Sequence, residues 1–210
     1  MKDAMEIWQI FHNGGPIMWP LLACSMIVLT IIFERTLFWL GMAWRRNRAL
    51  RDEILTIAET MDWQQIETKT EKSSDSIVQV LKMGILHKDY DMTKAMESEA
   101  QHLLKKMSQF MTVLDTMITV APLLGILGTV IGIISSFKML GSSGMADPKL
   151  VTGGIAQALI TTAAGLSISI FTVFPYNYFK SKIENAGHLM EKYATRLEVD
   201  YRKLQAKGVQ

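Results

Sequence analysis

The chain lacks charge where a soluble protein would carry it. Only 20% of its 210 residues are Asp, Glu, Lys or Arg, and three long runs contain none of them. These runs, Ile7 to Phe33, Thr116 to Phe137 and Leu150 to Phe179, are 27, 22 and 30 residues long. A soluble domain spreads charge along its surface, so this distribution excludes an ordinary soluble fold. Cysteine occurs once, as Cys24 inside the first run, which excludes a disulfide framework and a Cys-based metal site. His12, His87, His102 and His188 have no metal-ligand spacing, and no Gly-rich phosphate loop follows a strand pattern. Neither catalytic residues nor a metal or other cofactor is therefore expected, and the chain is not expected to be an enzyme. A net charge of only +2 gives no reason to expect nucleic acid.

What is present is apolar. Hydrophobic residues make up 49% of the chain and the mean hydropathy is +0.18. Each charge-free run is long enough to cross a bilayer as a helix. The first is expected to stay as an anchor: Lys2 is offset by Asp3 and Glu6, and no clear small-x-small cleavage site follows. Positively charged loops remain cytoplasmic, and 18 of the 22 basic residues fall in segments 45–115 and 180–210. The expected layout is an outer segment 1–15, a first span 16–44, a cytoplasmic helical region 45–115 and a second span 116–137. An outer turn 138–149, a third span 150–179 and a cytoplasmic carboxyl-terminal helix 180–210 complete it.

The first span should start near Pro16, after Asn13-Gly14-Gly15, with Trp19 and Trp39 as interfacial anchors. A charge at the centre of a span costs roughly 2.5–3.5 kcal/mol, so Glu34-Arg35 is placed near the inner headgroups with Arg35 snorkelling. The alternative is that Glu34 joins an ion path. The cytoplasmic region mixes 11 basic with 12 acidic residues and shows no strand-like alternation. Thr68 to Ser76 reads as a linker. From Asp91 the chain has no Gly or Pro up to the second span, which predicts one helix running into it. In the tail Ile183, Met190, Leu197 and Leu204 fall seven apart, beside Tyr193, Ala194 and Tyr201. That stripe needs a partner, either another copy or the chain's own cytoplasmic helices.

Spans two and three carry faces of small residues. One holds Gly125, Gly128 or Thr129, Gly132 and Ser136; the other holds Gly154, Ala158, Thr162, Gly165 and Ser169. In lipid, small faces mean close helix packing, for which a tight hairpin would suffice. At about 1.5 Å per residue, Thr129 lies roughly 14 Å from Lys138 and Thr162 roughly 20 Å from Lys149, near the middle of the bilayer. From the residues alone, each hydroxyl should bond back to its own helix. Neither span contains Asp, Glu, Lys, Arg or His. If the protein works on ions, a partner must bring the titratable group.

The segments Ala121-Pro122-Leu123-Leu124-Gly125-Ile126-Leu127-Gly128-Thr129-Val130-Ile131-Gly132 and Gly154-Ile155-Ala156-Gln157-Ala158-Leu159-Ile160-Thr161-Thr162-Ala163-Ala164-Gly165-Leu166, closed by Pro175-Tyr176-Asn177-Tyr178-Phe179, resemble the MotA/TolQ/ExbB proton channel family. The likeness is to its ExbB/TolQ branch. It implies an all-α, three-span protein of the bacterial inner membrane, with segments 1–15 and 138–149 in the periplasm. Five copies would form a ring around the single spans of two ExbD/TolR-like partners, whose membrane Asp supplies the missing carboxylate. By this resemblance Thr129 and Thr162 face that Asp on the ion path, reversing the back-bonded reading. Pro122, Gly125, Gly128, Gly132, Gly154, Ala158 and Gly165 shape the pore and its packing. Proton-motive force would drive work on a TonB/TolA-like protein reaching the outer membrane. Two departures stand out. Gln157 replaces a Glu common in ExbB-like members, near the outer mouth where a partner would touch. Thr161 adds a hydroxyl to the path, resembling some sodium-driven relatives, so Na+ is the alternative to H+. A membrane scaffold that assembles partners without conducting is the alternative of a different class; a flagellar stator fits less well, since such chains usually have four spans.

Overall fold

The computed structural model describes residues 11, 14–44, 47–59, 63–71, 73–142 and 148–208. Residues 1–10 and 12–13 of the outer segment, Arg45 and Arg46 after the first span, and 143–147 of the outer turn lie outside them. The described residues form helices α1 (Met18–Trp44), α2 (Arg48–Glu59), α3 (Trp63–Thr70), α4 (Ser76–Leu86), α5 (Met92–Met107), α6 (Met111–Ser142) and α7 (Pro148–Gly208). No strand occurs among them. Three of the helices, α1, α6 and α7, are long and apolar enough to cross a membrane. The chain divides into two units: α1 up to Glu34 with α6 and α7 up to Tyr178, and α1 from Arg35 with α2–α5 and the rest of α7.

In the first unit, α1 begins from a turn at Gly15, whose φ of 72° suits a residue without Cβ. The Met18 amide donates to the Gly15 carbonyl at 3.1 Å and that of Trp19 to Pro16 at 3.3 Å. Pro20 sits in the first helical turn, where its missing N–H leaves no bond unmade. Met18 and Leu21 are buried with Ala121 of α6, against Leu124, Ile160, Ala164 and Ile168. Trp19 remains exposed.

The second unit has an ordinary apolar core. Ile54 and Leu55 of α2, Ile66 of α3, Val78 and Leu81 of α4, and Met96 and Met107 of α5 are buried together with Met190 and Leu197 of α7. The tail stripe thus finds its partner on the chain's own helices, with Ile183, Tyr193, Ala194 and Tyr201 packed beside it. The Tyr193 hydroxyl donates to Asp52 at 3.1 Å and that of Tyr201 to the Lys88 carbonyl at 3.1 Å. Trp39 also packs on this core, edge-on to Phe38.

A buried carboxylate fastens α2 to α4. Asp75 caps α4 by accepting from the Ile77 amide at 2.9 Å and takes the Asn47 amide at 2.8 Å. It is also gripped by Arg51, whose Nη2 lies 2.7 Å and Nε 3.0 Å away. A fork of two N–H donors on one carboxylate is the strongest form of such a pair.

Three expectations are corrected here. The segment from Asp91 is not one helix into the second span: α5 ends at Met107 and α6 begins at Met111, around Phe110 with φ 64°. A left-handed residue cannot continue a helix, and no Gly or Asn marks the spot in sequence. Nor does Arg35 snorkel. It is 1% exposed, lies 4.6 Å over the Phe38 ring, and donates to the carbonyls of Met107 at 3.3 Å and Lys106 at 3.4 Å. The last turn of α5 leaves carbonyls unpaired and carries partial negative charge, and the guanidinium answers both. The Thr68–Ser76 linker is shorter than expected, since α3 holds through Thr70.

Replacing Asp75 by Ala strands Arg51 inside the unit and should cost about 3–5 kcal/mol, seen as a lowered midpoint in thermal denaturation of the purified protein. An unchanged midpoint would remove Asp75 as the fastening point. Burial, followed by the bond to Asp52, raises the Tyr193 pKa above its ordinary 10.0. The folded chain then holds that proton more tightly than the unfolded one, so stability present below pH about 10 is lost as pH climbs through the folded value. A Tyr193→Phe variant should lose less stability across that range in alkaline melts.

Candidate functional site

Segments 116–137 of α6 and 150–179 of α7 pack as an antiparallel pair, and their small residues are what let the two backbones meet. A Cβ on Gly165 would collide with the Ala121 carbonyl oxygen. One on Gly132 would lie 2.9 Å from the Gly154 carbonyl oxygen and 3.0 Å from the Ala158 Cβ, and one on Gly125 would lie 3.0 Å from the Thr161 oxygen. Gly128 makes room for the Thr161 side chain, and Gly154 for Ser136. Gly125, Gly128, Gly132, Gly154, Ala158 and Gly165 therefore share one interface. The opposite faces are bulky and exposed, with Leu123, Ile126, Val130 and Phe137 on α6 and Ile155, Leu159, Ile170 and Phe174 on α7.

The three threonines divide by environment. Thr161 is 1% exposed, sits on Gly128 inside the interface, and donates to the Ala158 carbonyl of its own helix at 2.8 Å. Thr129 is half-buried and donates to its own Ile126 carbonyl at 2.5 Å. Thr162, also half-buried, reaches across instead and donates to the Gly125 carbonyl of α6 at 3.0 Å. Helical geometry sends the Thr129 amide to that same carbonyl, four residues back. The Gly125 oxygen thus gathers Thr129 through its backbone and Thr162 through its hydroxyl. Both hydroxyl protons are spent on carbonyls, so each oxygen presents only lone pairs to its surroundings.

Two neighbours complete the unit. Gln157 lies against Gly15, in the turn that starts α1, where any Cβ would strike its amide. Ser169, two turns beyond Thr162, donates to the Ile118 carbonyl of α6 at 2.7 Å, next to Pro122. Spacing alone placed Ser169 on the small face but not in this bond. The readable signal was a proline inside a charge-free run, which frees a carbonyl that needs another donor.

Three long apolar helices, with a close-packed hairpin formed by two of them, define an all-helical, multi-pass membrane protein. Residues 69–192 match the model of the MotA/TolQ/ExbB proton channel family. The "Putative biopolymer transport protein ExbB-like 3" of Synechocystis sp. is 32% identical over 195 residues, covering 90% of this chain and 92% of that one. The "Biopolymer transport protein exbB1" of Vibrio cholerae is 27% identical over 172 residues, covering 79% of this chain and 75% of its own length. The "Tol-Pal system protein TolQ" of Pseudomonas aeruginosa is 26% identical over 208 residues, with 87% and 86% covered. The chain belongs to the MotA/TolQ/ExbB proton channel family, on its ExbB/TolQ branch. Family and fold together support a multi-pass protein of the inner membrane.

Gly165→Ala should destabilise the hairpin by about 1–3 kcal/mol, because a backbone oxygen cannot step aside as a side chain can. Gly153→Ala is the control, since a Cβ there meets nothing within 4 Å. Thermal melts of the two variants in detergent should separate; equal midpoints would contradict the close contact.

Proposed function

We propose that this chain is the ring subunit of an inner-membrane motor that converts proton-motive force into mechanical work for the outer membrane. Five copies surround the single spans of two ExbD/TolR-like subunits carrying a membrane Asp. A TonB/TolA-like protein takes the work outward, for TonB-dependent uptake or Tol-type envelope maintenance. The amino terminus faces the periplasm and the carboxyl terminus the cytoplasm, and the role is not enzymatic. One observation carries this reading: the Thr162 hydroxyl reaches across to the Gly125 carbonyl, one helical turn from Thr129, within spans two and three that contain no Asp, Glu, Lys, Arg or His.

The hydrogen bonds suggest how such a site would act. With their protons committed to Ile126 and Gly125, both hydroxyls accept and do not donate. A protonated carboxylic acid can donate to them, whereas a carboxylate is offered no proton and gains nothing there. The pair therefore favours the loaded, neutral form of a partner's Asp, which is also the form that crosses a low-dielectric wall at least cost. Thr161, the extra hydroxyl that would serve a sodium path, has its proton on Ala158 and its side chain in the helix interface. Proton is accordingly the ion we propose over Na+.

Native mass spectrometry of the complex extracted gently from its own membrane tests the assembly. Five copies with two single-span partners would support the motor, and a ring that purifies repeatedly without a partner would favour the scaffold. In the intact complex Thr162→Val should lower ion-driven output about tenfold, the scale of a 1.4 kcal/mol loss in the transport step. Output at the wild-type level would remove Thr162 from the path. The chain reconstituted alone should conduct little, because hydroxyls and aliphatic side chains make a poor proton path without a carboxylate.

A further inference from the structure

A proline inside a membrane helix withdraws one backbone donor. In α6 the amide that would bond the Ile118 carbonyl belongs to residue 122, and Pro122 has no N–H. A backbone carbonyl that loses its helical donor needs another one. It finds the Ser169 hydroxyl of α7, at 2.7 Å. Seven residues further along α6 and seven back along α7, the Thr162 hydroxyl donates to Gly125 at 3.0 Å. Between these contacts Gly165 closes directly on Ala121. The helices are thus joined by two matched rungs, two turns apart, each a side-chain hydroxyl of α7 on a backbone carbonyl of α6.

The rungs differ in origin. The Gly125 carbonyl already has its helical donor in the Thr129 amide, so Thr162 adds a second bond there. Ile118 depends on Ser169 for the bond that Pro122 withholds. We propose that Ser169 is a positioning residue. It occupies the acceptor vacated by Pro122 and so fixes the register of α7 on α6, which holds Thr162 beside Thr129. A hairpin of small faces alone could slide by a turn, because one glycine accepts a close neighbour about as well as the next. A hydroxyl that must meet one particular carbonyl removes that freedom. The positional claim rests on the function proposed for Thr129 and Thr162, while the claim about the Pro122 carbonyl stands without it.

The experiment is a double-mutant cycle in the full-length protein, purified from its own membrane with whatever partners accompany it. Ser169→Ala should lower the thermal midpoint by about 2–4 °C, and Ser169→Thr, which keeps the hydroxyl, should restore most of that. Pro122→Ala returns the missing N–H, so Ser169→Ala should cost almost nothing in that background. An equal loss in both backgrounds would show that Ser169 merely packs, and would overturn the proposal. The same four proteins are then assayed for ion-driven output in membrane vesicles. Output should fall at least about threefold in Ser169→Ala, recover in Ser169→Thr, and be indifferent to Ser169 once Pro122 is replaced; threefold corresponds to the average worth of one interhelical hydrogen bond in a membrane. A cycle that holds in stability with output unchanged overturns the positioning role. If Thr162→Val also leaves output unchanged, the ion-path reading has failed, and the stability cycle still decides whether Ser169 serves the Pro122 carbonyl.

Discussion

The close meeting of two backbones in the α6–α7 pair is the constraint on which the rest of this molecule depends. Apolar side chains gain little from leaving lipid for one another, so helices in a bilayer associate through fit and through hydrogen bonds that have no other outlet. Glycine and alanine supply the fit, letting Gly165 reach Ala121 and Gly132 reach Gly154. Only at that separation can a short side chain such as Thr162 touch the neighbouring main chain. The glycines therefore act one step before the threonines: they set the distance at which a hydroxyl becomes useful.

A single theme, unpaired carbonyls finding donors, recurs in both units. Pro122 leaves one at Ile118, answered by Ser169, and the end of α5 leaves others at Lys106 and Met107, answered by Arg35. Asp75 is the mirror image, a buried acceptor surrounded by the first amides of α4, the Asn47 amide and the Arg51 fork. In each case a polar group shut away from water is balanced on the spot, with at least one partner from a distant part of the sequence. Such bonds are modest one at a time, about 0.6 kcal/mol on average between membrane helices. Their value lies in direction, because each accepts only one geometry.

Much of this was legible in the sequence. Charge-free runs marked the apolar helices, and the period of Gly and Ala marked the faces that meet. The seven-residue stripe from Ile183 to Leu204 announced a buried face without saying what would cover it. What stayed hidden depended on three-dimensional neighbours. Arg35 looked like a snorkelling residue because its acceptors are remote in sequence, 71 and 72 residues away. The break at Phe110 escaped because the left-handed position is filled by an aromatic residue rather than Gly. Thr161 and Thr162 are adjacent and chemically identical, and only their rotation about the α7 axis sends one into the interface and leaves the other half-open.

The hairpin uses its small faces on itself, and so it turns outward a wall of Leu, Ile, Val and Phe with few hydrogen-bonding groups. Dispersion contacts on such a wall are weak one by one and nearly independent of direction. A helix turning against it would meet a shallow, almost level energy surface, with no bonds to break and remake at every step. In the motor we propose, that makes the greasy wall a bearing and the two half-buried hydroxyls a detent set into it. Friction would be low along the apolar stretches and higher where a proton decides whether the partner may stop.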